Sequence, residues 1–277
     1  PSLRVATFEA RQSALTIGIR GIVPGDANQP AREQGVGVYI DGVYLGRQHG
    51  LNAALFDVER IEVLKGPQGT LFGRNTEGGA LNIVSKAPLG EFGGRVTVGG
   101  GNFNAYNGGL HLDLPVQSDI AVKLDAVIDH QGPTVKNPLS GQTGWNFHHR
   151  YGGRAAARWK PSDSFTADVA FDIAHDENSP FYSKLINWNP NNLPVATLAE
   201  IQANGNKLPK GKIAPLSPLV TVTGKRMSVA DIGVPQQPSV DKTHGFMAAF
   251  KWKAADGIEL RSITAWRTVN DDQWDNS

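Results

Sequence analysis

The amino-acid sequence predicts a mainly β protein in two parts, a small α+β module followed by antiparallel transmembrane β-strands. Three observations support this fold class. Short β-type runs broken by glycine and proline turns fill the chain as far as Pro88. Long segments in which apolar and polar residues alternate follow from Glu91 almost to the C-terminus. The links between these segments are alternately short and long, which is typical of membrane barrels.

Composition narrows the protein class. The 277 residues carry a net charge of +1, which gives no indication of a nucleic-acid partner. There is no cysteine, so disulfides and thiolate metal sites are excluded. No apolar run approaches the roughly 20 residues of a membrane-spanning helix, but a barrel strand needs an apolar residue only at every second position. The start at Pro1, without a signal segment, predicts a mature product or a fragment.

The first domain is predicted over residues 1–86, with several short strands. An Asp41-Gly42 turn between two β-type runs predicts a hairpin. The segment Asp57–Leu64 is predicted to begin as a helical turn capped by Asp57 and to continue as a strand. The other strands are predicted over Leu15–Ile22, Val36–Ile40, Val43–Leu45 and Ala80–Ser85.

The second domain is predicted over residues 87–277, with about seven strands of membrane-crossing length. Each strand has one face almost without charge and one face with repeated charges; Val122 and Leu124, for example, alternate with Lys123 and Asp125. Short links are predicted at 115–118, 160–163 and 254–257, and long loops at 132–146 and 178–241. Trp159 and Trp252 lie beside short links, where a periplasmic aromatic girdle is expected.

Five motifs carry a family resemblance: Ile19-Arg-Gly21, Val38–Val43, Val58–Val63, Gly66–Asn75 and Gly78–Val84. They stand in the family's order over most of residues 15–86, and the chain resembles the TonB-dependent outer-membrane receptors. The resemblance implies a plug domain inside a 22-stranded barrel, of which only about seven strands are present here. It also implies a place in the outer membrane of a Gram-negative bacterium and a TonB box upstream of the plug.

The resemblance implies active import of a scarce ligand, driven by the partner protein TonB. A ferric siderophore is the expected cargo, and saccharides, aromatic compounds, haem and cobalamin are alternatives. Outer-membrane lipid is the other expected partner, the barrel is expected to be monomeric, and no cofactor is expected. A β-rich binding or adhesion module is the competing interpretation. A signalling subtype would need a further N-terminal domain. No catalytic arrangement of side chains is visible, so the protein is not expected to be an enzyme.

Charged residues in the plug motifs are candidate contacts between plug and barrel, because plug arginines pair with acidic wall residues in the family. The alternative is ordinary surface charge. Lys65 stands where the family usually carries arginine. The candidate plug residues are Arg20, Glu59, Arg60, Glu62, Lys65 and Arg74. Their candidate partners are Arg95, Arg154, Arg158, Asp125, Asp168, Asp172 and Arg261.

Ligand contacts are expected from plug loops and from the longest loop between strands, although a structural role stays open for each residue. The candidates are Asp26, Asn28, Arg32, Tyr44, Arg47, His49, Phe181, Tyr182 and Trp188. The glycines near Gly66 lack the spacing of a phosphate loop. No metal site is expected, because His148 and His149 point to opposite faces and the other histidines are scattered along the sequence.

Overall fold

The computed structural model describes residues 3–8, 11–23, 33–47 and 56–274. These residues form three β-sheets and two short helices. The first part of the chain is the N-terminal module. It contains β1 (Leu3–Phe8), β2 (Arg11–Ile19), β3 (Val36–Ile40), β4 (Val43–Tyr44), β5 (Val58–Lys65), α1 (Gly69–Phe72) and β6 (Gly79–Ser85).

A four-stranded sheet in the order β4-β3-β6-β5 forms the centre of the N-terminal module. Strands β3 and β6 are parallel, and the other neighbours are antiparallel. The predicted hairpin is confirmed, since Ile40 pairs with Val43 across Asp41 and Gly42. Asp41 and Gly42 have φ angles of 52° and 82°. Aspartate and glycine tolerate this left-handed backbone better than other residues, which explains why they occupy the turn.

The core of the module is aliphatic and rich in β-branched side chains, which pack well on a pleated sheet. Its buried members are Ile17, Ile19, Val36, Val38, Ile40, Leu45, Leu81 and Ile83. Gly79 lets β5 and β6 approach closely here. Its φ is 143°, and a Cβ atom at this position would lie 2.1 Å from the Leu64 carbonyl oxygen. The backbone pairing therefore requires glycine.

The predicted helical turn at the start of the Asp57–Leu64 segment is wrong. The chain is already extended at Val58, and β5 pairs with β6 from Val58 opposite Ser85 to Lys65 opposite Gly79. Pairing with β6 outweighs the local capping signal, because the sheet satisfies the backbone of the whole segment. The side chain of Asp57 is consequently not needed as a helix cap.

The second part of the chain is one seven-stranded antiparallel sheet whose strands follow one another in chain order, and we call it the wall. Its number of strands matches the prediction. The wall contains β7 (Gly93–Gly101), β8 (Ala105–Gln117), β9 (Ile120–Gln131), β10 (His148–Ser162), β11 (Phe165–Asn178), β12 (Ser239–Ala255) and β13 (Ile258–Asp272).

The two ends of the wall differ in their connections, as predicted. At the short-turn end, only two residues link each strand pair: 118–119, 163–164 and 256–257. The opposite end carries the loops 132–147 and 179–238 as well as the short link 102–104. We call it the long-loop end. This inequality is the pattern in which short turns are periplasmic and long loops extracellular.

The two faces of the wall also differ. Lys123 and Arg154 point inward, toward the N-terminal module, and most other charged residues of the wall share that face. Apolar residues on the outward face are exposed, for example Phe171 at 47% and Phe250 at 42%. A continuous apolar band on the outside of a sheet is suited to contact with lipid.

The long loops form a structured layer at their end of the wall. Val135 and Trp145 of the loop 132–147 are buried together with Ala230 of the loop 179–238. Helix α2 (Leu198–Ala203) begins with a capping box between Thr197 and Glu200. Within the described ranges, neither helix has the length and apolar character needed to cross a membrane.

Candidate functional site between the N-terminal module and the wall

Asp57 attaches the N-terminal module to the wall through ion pairs, of which the pair with Lys123 is buried. Its carboxylate lies 2.7 Å from Lys123 Nζ on β9 and 2.9 Å from Arg95 Nη2 on β7. Lys86 Nζ, at 3.4 Å, adds a third positive charge from the segment that leads into the wall. The Lys123 side chain is 3% exposed and the Asp57 side chain 6% exposed. These charges are therefore almost removed from water, where pairing is strong and loss of one partner is costly. We call Asp57, Lys86, Arg95 and Lys123 the Asp57 cluster.

Acidic groups of the wall complete the surroundings of Lys123. Asp113 lies 3.6 Å from Lys123 Nζ, and His111 Nδ1 lies 2.8 Å from Asp125. Single ligand atoms of Asp57, His111 and Asp125 lie within 4.8 Å of one another, a spacing that a metal ion can use. The ammonium group of Lys123 already supplies positive charge to this group, so we describe it as an ion-pair network.

The environment of Asp57 changes its acidity. Burial acts to raise the pKa of the carboxyl, but the hydrogen bond and charge of Lys123, with smaller effects from His111 and Lys86, lower that pKa to about 2. The attraction of the surrounding cations therefore exceeds the cost of burying the carboxylate. Asp57 is held in its charged form, in which it binds the wall.

A second junction joins the turn of the predicted hairpin to β10. Arg154 Nη2 donates to Asp41 Oδ2 at 2.7 Å, and Arg154 Nη1 donates to Ser85 Oγ at 2.8 Å. The other carboxylate oxygen of Asp41 accepts from the Ser85 backbone N–H at 2.8 Å. Arg154 thus binds both the end of β6 and the β3–β4 turn. With only 10% of its side chain exposed, it is well protected from solvent screening.

An open cleft of about 1200 Å³ separates part of the module from part of the wall. On the module side it is lined by Asp41, Glu59 and Phe72, and on the wall side by Arg154 and Arg158. Both charged and apolar groups face the cleft, so a polar solute can be accommodated between the two parts of the molecule.

Several charged residues of the wall are paired within the wall. Arg158 Nε lies 2.6 Å from Asp168 on the next strand, and Arg267 Nη2 lies 2.7 Å from Asp172. Such cross-strand pairs allow the inward face to carry charge without leaving it uncompensated. Arg95, Lys123 and Arg154 instead pair with acids of the N-terminal module, and Lys123 also lies near Asp113 of the wall.

Comparison with known proteins finds a family match in the N-terminal part of the chain and solved structures with a similar fold. Residues 1–80 match the family model described as the TonB-dependent Receptor Plug Domain. The ferric yersiniabactin uptake receptor FyuA from Yersinia pestis superposes on 99% of the chain and 37% of its own, with a TM-score of 0.71 and 21% identity. Residues 1–80 thus match a plug domain of this family, and the chain as a whole has the fold of a TonB-dependent receptor. This receptor is therefore an outer-membrane protein of a Gram-negative bacterium, and its N-terminal module is the plug.

Curated relatives of the receptor are receptors and transporters. The pesticin receptor of Yersinia pestis is 29% identical over 178 residues, which are 63% of this chain and 25% of the relative. The ferrichrome outer membrane transporter/phage receptor of Escherichia coli K12 is 24% identical over 212 residues, 76% of this chain and 25% of the relative. The chain thus spans about a quarter of the length of these relatives.

The six plug residues that were predicted to contact the barrel lie in different surroundings. Arg60 pairs with Glu59 at 2.8 Å and with Glu62 at 2.7 Å, both on its own strand β5. Glu59 is also close enough to Arg158 of the wall for their charges to interact. Arg74 lies 3.3 Å from Glu33 within the plug. Arg20 and Lys65 have exposed side chains. Contact between these six residues and the barrel stays a prediction.

The candidate ligand residues divide into two groups. Asp26, Asn28, Arg32 and His49 lie outside the described residues. Among the others, the hydroxyl of Tyr44 accepts from Asn75 Nδ2 at 3.0 Å, and Tyr182 packs edge-on against Trp145 with ring centroids 5.1 Å apart. Arg47 and Phe181 are exposed, and Trp188 is half-buried. Their contact with a ligand also stays a prediction.

The sequence did not reveal Asp41 and Asp57 as plug contacts. Each had a sufficient local explanation, Asp41 as a turn residue and Asp57 as a helix cap. Of their partners, Arg95 and Arg154 were predicted as wall residues that contact the plug, whereas Lys123 was not. The polarity of the contacts is the reverse of the expected one, because the plug supplies the acids and the wall supplies the bases. This reversed polarity becomes visible only when the tertiary structure shows which charged side chains are paired.

Proposed function

We propose that the full-length protein imports a ferric siderophore complex across the outer membrane with energy supplied through TonB. We further propose that residues 1–86 are the plug and residues 87–277 the first part of the barrel. The observation that carries the proposal is the attachment of the plug to the inner wall through the Asp57 cluster and the Asp41–Arg154 pair. A plug that acts as a gate must be held in place by its contacts with the wall, and those contacts must also be breakable.

Ion pairs are suited to such a gate. They hold the plug in one orientation, because each arginine or lysine accepts only a few arrangements of its partner. An ion pair between plug and wall forms only when both parts are in position. A pull on the plug therefore breaks the ion pairs without unfolding the wall. The adjoining cleft gives a space that can widen when the plug moves. This arrangement supports a transport role rather than an enzymatic one.

The relatives support a siderophore as the cargo. They include a catecholate siderophore receptor and a ferrichrome transporter, both of Escherichia coli K12. Saccharides, aromatic compounds, haem and cobalamin are the alternative cargos. We propose that the ligand contacts the long loops and the plug loops. The residues proposed for this contact are Tyr44, Arg47, Phe181, Tyr182 and Trp188, together with Asp26, Asn28, Arg32 and His49.

Uptake of radiolabelled iron tests the proposed function. Cells that lack their own siderophore receptors are given the full-length protein and a panel of ferric siderophores, in strains with and without TonB. We expect binding of one siderophore in both strains and uptake only with TonB. If uptake of every ferric siderophore in the panel equals that of cells without the protein, the siderophore assignment is wrong. The panel is then repeated with the alternative cargos.

A pair of variants tests the role of the long loop in ligand contact. Phe181 is 39% exposed and is a proposed ligand residue, whereas Leu219, 68% exposed in the same loop, is not. We expect Phe181→Ala to weaken siderophore binding roughly tenfold, as loss of an aromatic contact commonly does, and Leu219→Ala to leave it unchanged. Equal affinities of the two variants would contradict the assignment of Phe181.

A further inference from the structure

A row of imidazole and phenol rings crosses the wall near its long-loop end. Tyr106 on β8 stacks on His130 of β9, with ring centroids 4.8 Å apart. His130 lies 5.2 Å from His149 of β10. Tyr151, 5.5 Å from His149, stacks on His175 of β11 at 4.8 Å. These five residues from four neighbouring strands form one continuous surface feature, which we call the imidazole ladder.

The imidazole ladder lies on the outward face of the wall. Side chains alternate between the two faces along a strand, so positions an odd number apart lie on opposite faces. Lys123 on β9 points inward to Asp57, and His130 is seven positions further along. Arg154 on β10 points inward to Asp41, and Tyr151 is three positions before it. The ladder therefore faces the lipid.

The histidines of the outward face are distributed unequally between the two ends of the wall. Among the described residues, the outward histidines are His130, His149, His175 and His244, and all lie toward the long-loop end. The short-turn end of the same face carries instead Trp159, Phe165 and Trp252. Aromatic rings anchor a protein at either membrane surface. Imidazole rings at one end and indole and phenyl rings at the other therefore give the two ends of the outward face different hydrogen-bonding groups.

The ladder presents hydrogen-bond donors outward. The Nδ1 atoms of His130 and His149 are buried and have no hydrogen-bond partner among the described residues. A proton on buried Nδ1 would be an unpaired donor, which is costly, so the proton belongs on Nε2 at the other side of the ring. Phosphate oxygens are the strong acceptors available in a lipid headgroup region.

Two charges of opposite sign flank the ladder and decide where along it an anionic ligand is attracted. Lys242 of β12, the register partner of His175, is exposed and adds a positive charge. Glu177 is the register partner of His149 and lies 3.2 Å from His175 Nε2, so an anion is repelled on the β11 side of the ladder. The position of strongest attraction for an anion is thus displaced from Glu177 toward His130 on β9.

We propose that the imidazole ladder, with Lys242, is a binding site for the phosphorylated headgroup of an outer-leaflet lipid. A free phosphate ion would have no reason to favour the membrane-facing side of the wall, whereas a lipid headgroup is held at that level by its acyl chains. The proposal rests on the outer-membrane location and does not depend on which cargo the receptor carries. Loss of transport and loss of lipid binding are therefore separate outcomes.

Native mass spectrometry of the full-length protein in detergent tests this site. The probes are phosphatidic acid, diacylglycerol with the same acyl chains, and inorganic phosphate. We expect phosphatidic acid to remain bound and diacylglycerol to dissociate. The triple variant H130F/H149F/H175F, which keeps rings but removes donors, should weaken phosphatidic acid binding about tenfold. The triple variant H130Q/H149Q/H175Q keeps a donor at each position and should retain most of the binding.

Controls at the other end of the wall separate a specific site from general lipid contact. Trp159→Phe and Trp252→Phe should leave binding of phosphatidic acid unchanged, and circular dichroism should show the same β content in every variant. Equal binding by the phenylalanine triple variant and the unchanged protein would overturn the proposal. So would loss of binding in a folded glutamine triple variant, or full displacement of the lipid by an equal concentration of inorganic phosphate.

Discussion

At the scale of single residues, Asp57 decides how the plug meets the wall. It comes directly before β5 in the sequence, yet its partners Arg95 and Lys123 belong to β7 and β9. Both Asp57 and Lys123 are buried, so neither charge can be compensated by water if the other is removed. The contact between plug and wall is therefore sensitive to a single atom change at Asp57.

We predict that Asp57→Asn weakens the docking of the plug in the full-length receptor by about 3–5 kcal/mol, because Lys123 is left buried with an incomplete set of partners. The measurement is a urea titration in which hydrogen exchange of the β5 and β6 amides reports the release and unfolding of the plug. Glu33→Gln is the control, since Glu33 is half exposed and its salt bridge to Arg74 lies within the plug. Equal effects of the two variants would show that the Asp57 cluster does not hold the plug.

The pH dependence of plug docking has a definite sign. The pKa of Asp57 is lowered from 3.8 to about 2, so its contribution is fully present above about pH 4 and is lost as the pH falls through 2. We expect it to contribute about 2 kcal/mol above that range. Plug docking measured between pH 5 and 2 should fall more steeply in the unchanged protein than in Asp57→Asn. Parallel curves would contradict the assignment.

At the scale of elements, the hairpin and the wall strands follow closely from the sequence. The Asp41-Gly42 dipeptide specifies a left-handed turn, and alternation of apolar and polar residues specifies each wall strand and its two faces. These signals are local, so the sequence is sufficient to predict them. The start of β5 was mispredicted, because its pairing with β6 is a contact between distant segments.

The pairing of β5 with β6 gives a prediction about Gly79. Gly79→Ala should destabilise the plug by more than about 2 kcal/mol, since a Cβ atom would lie 2.1 Å from the Leu64 carbonyl oxygen at a φ of 143°. Gly69→Ala is the matched control, because a Cβ atom there would contact nothing within 4 Å. Urea titration of both variants, followed by hydrogen exchange in β6, measures the difference. Similar midpoints would contradict the close packing at Gly79.

The row of outward histidines cannot be predicted from any single strand. Along the sequence they appear scattered, but the register of β9, β10 and β11 places His130, His149 and His175 in one row. Each strand predicts only which face its own histidine occupies. The relative height of neighbouring strands, and hence the imidazole ladder, depends on the register of the whole sheet.

At the scale of the whole molecule, two charged junctions hold the plug against the wall, and Gln12 of β2 adds a buried hydrogen bond to the Ser179 carbonyl oxygen at 2.8 Å. The Asp57 cluster engages β7 and β9, and the Asp41–Arg154 pair engages β10. Contacts to three strands prevent the plug from rotating as well as from sliding. Under the proposed function, both junctions must separate before a ligand passes through the cleft.

A reversible cross-link between plug and wall tests this requirement. Ser85 Oγ lies 2.8 Å from Arg154 Nη1, so Ser85→Cys with Arg154→Cys leaves a gap about as long as an arginine side chain. A cleavable reagent that joins two thiols across this length should abolish siderophore uptake and leave siderophore binding intact, and cleavage should restore uptake. The single-cysteine variants are the controls, and this chain has no other cysteine. Normal uptake in the cross-linked receptor would show that the plug need not leave this part of the wall.

The sequence alone determined the order of the parts, the number of wall strands, the hairpin turn and the face on which each wall residue lies. These properties depend on periodicity and turn chemistry, which act over a few neighbouring residues. Tertiary structure alone decided that Asp41 and Asp57 bind Arg154 and Lys123, and that the outward histidines form one row. The reason is that electrostatic pairing and strand register depend on distances between residues far apart in the chain, which local patterns do not encode.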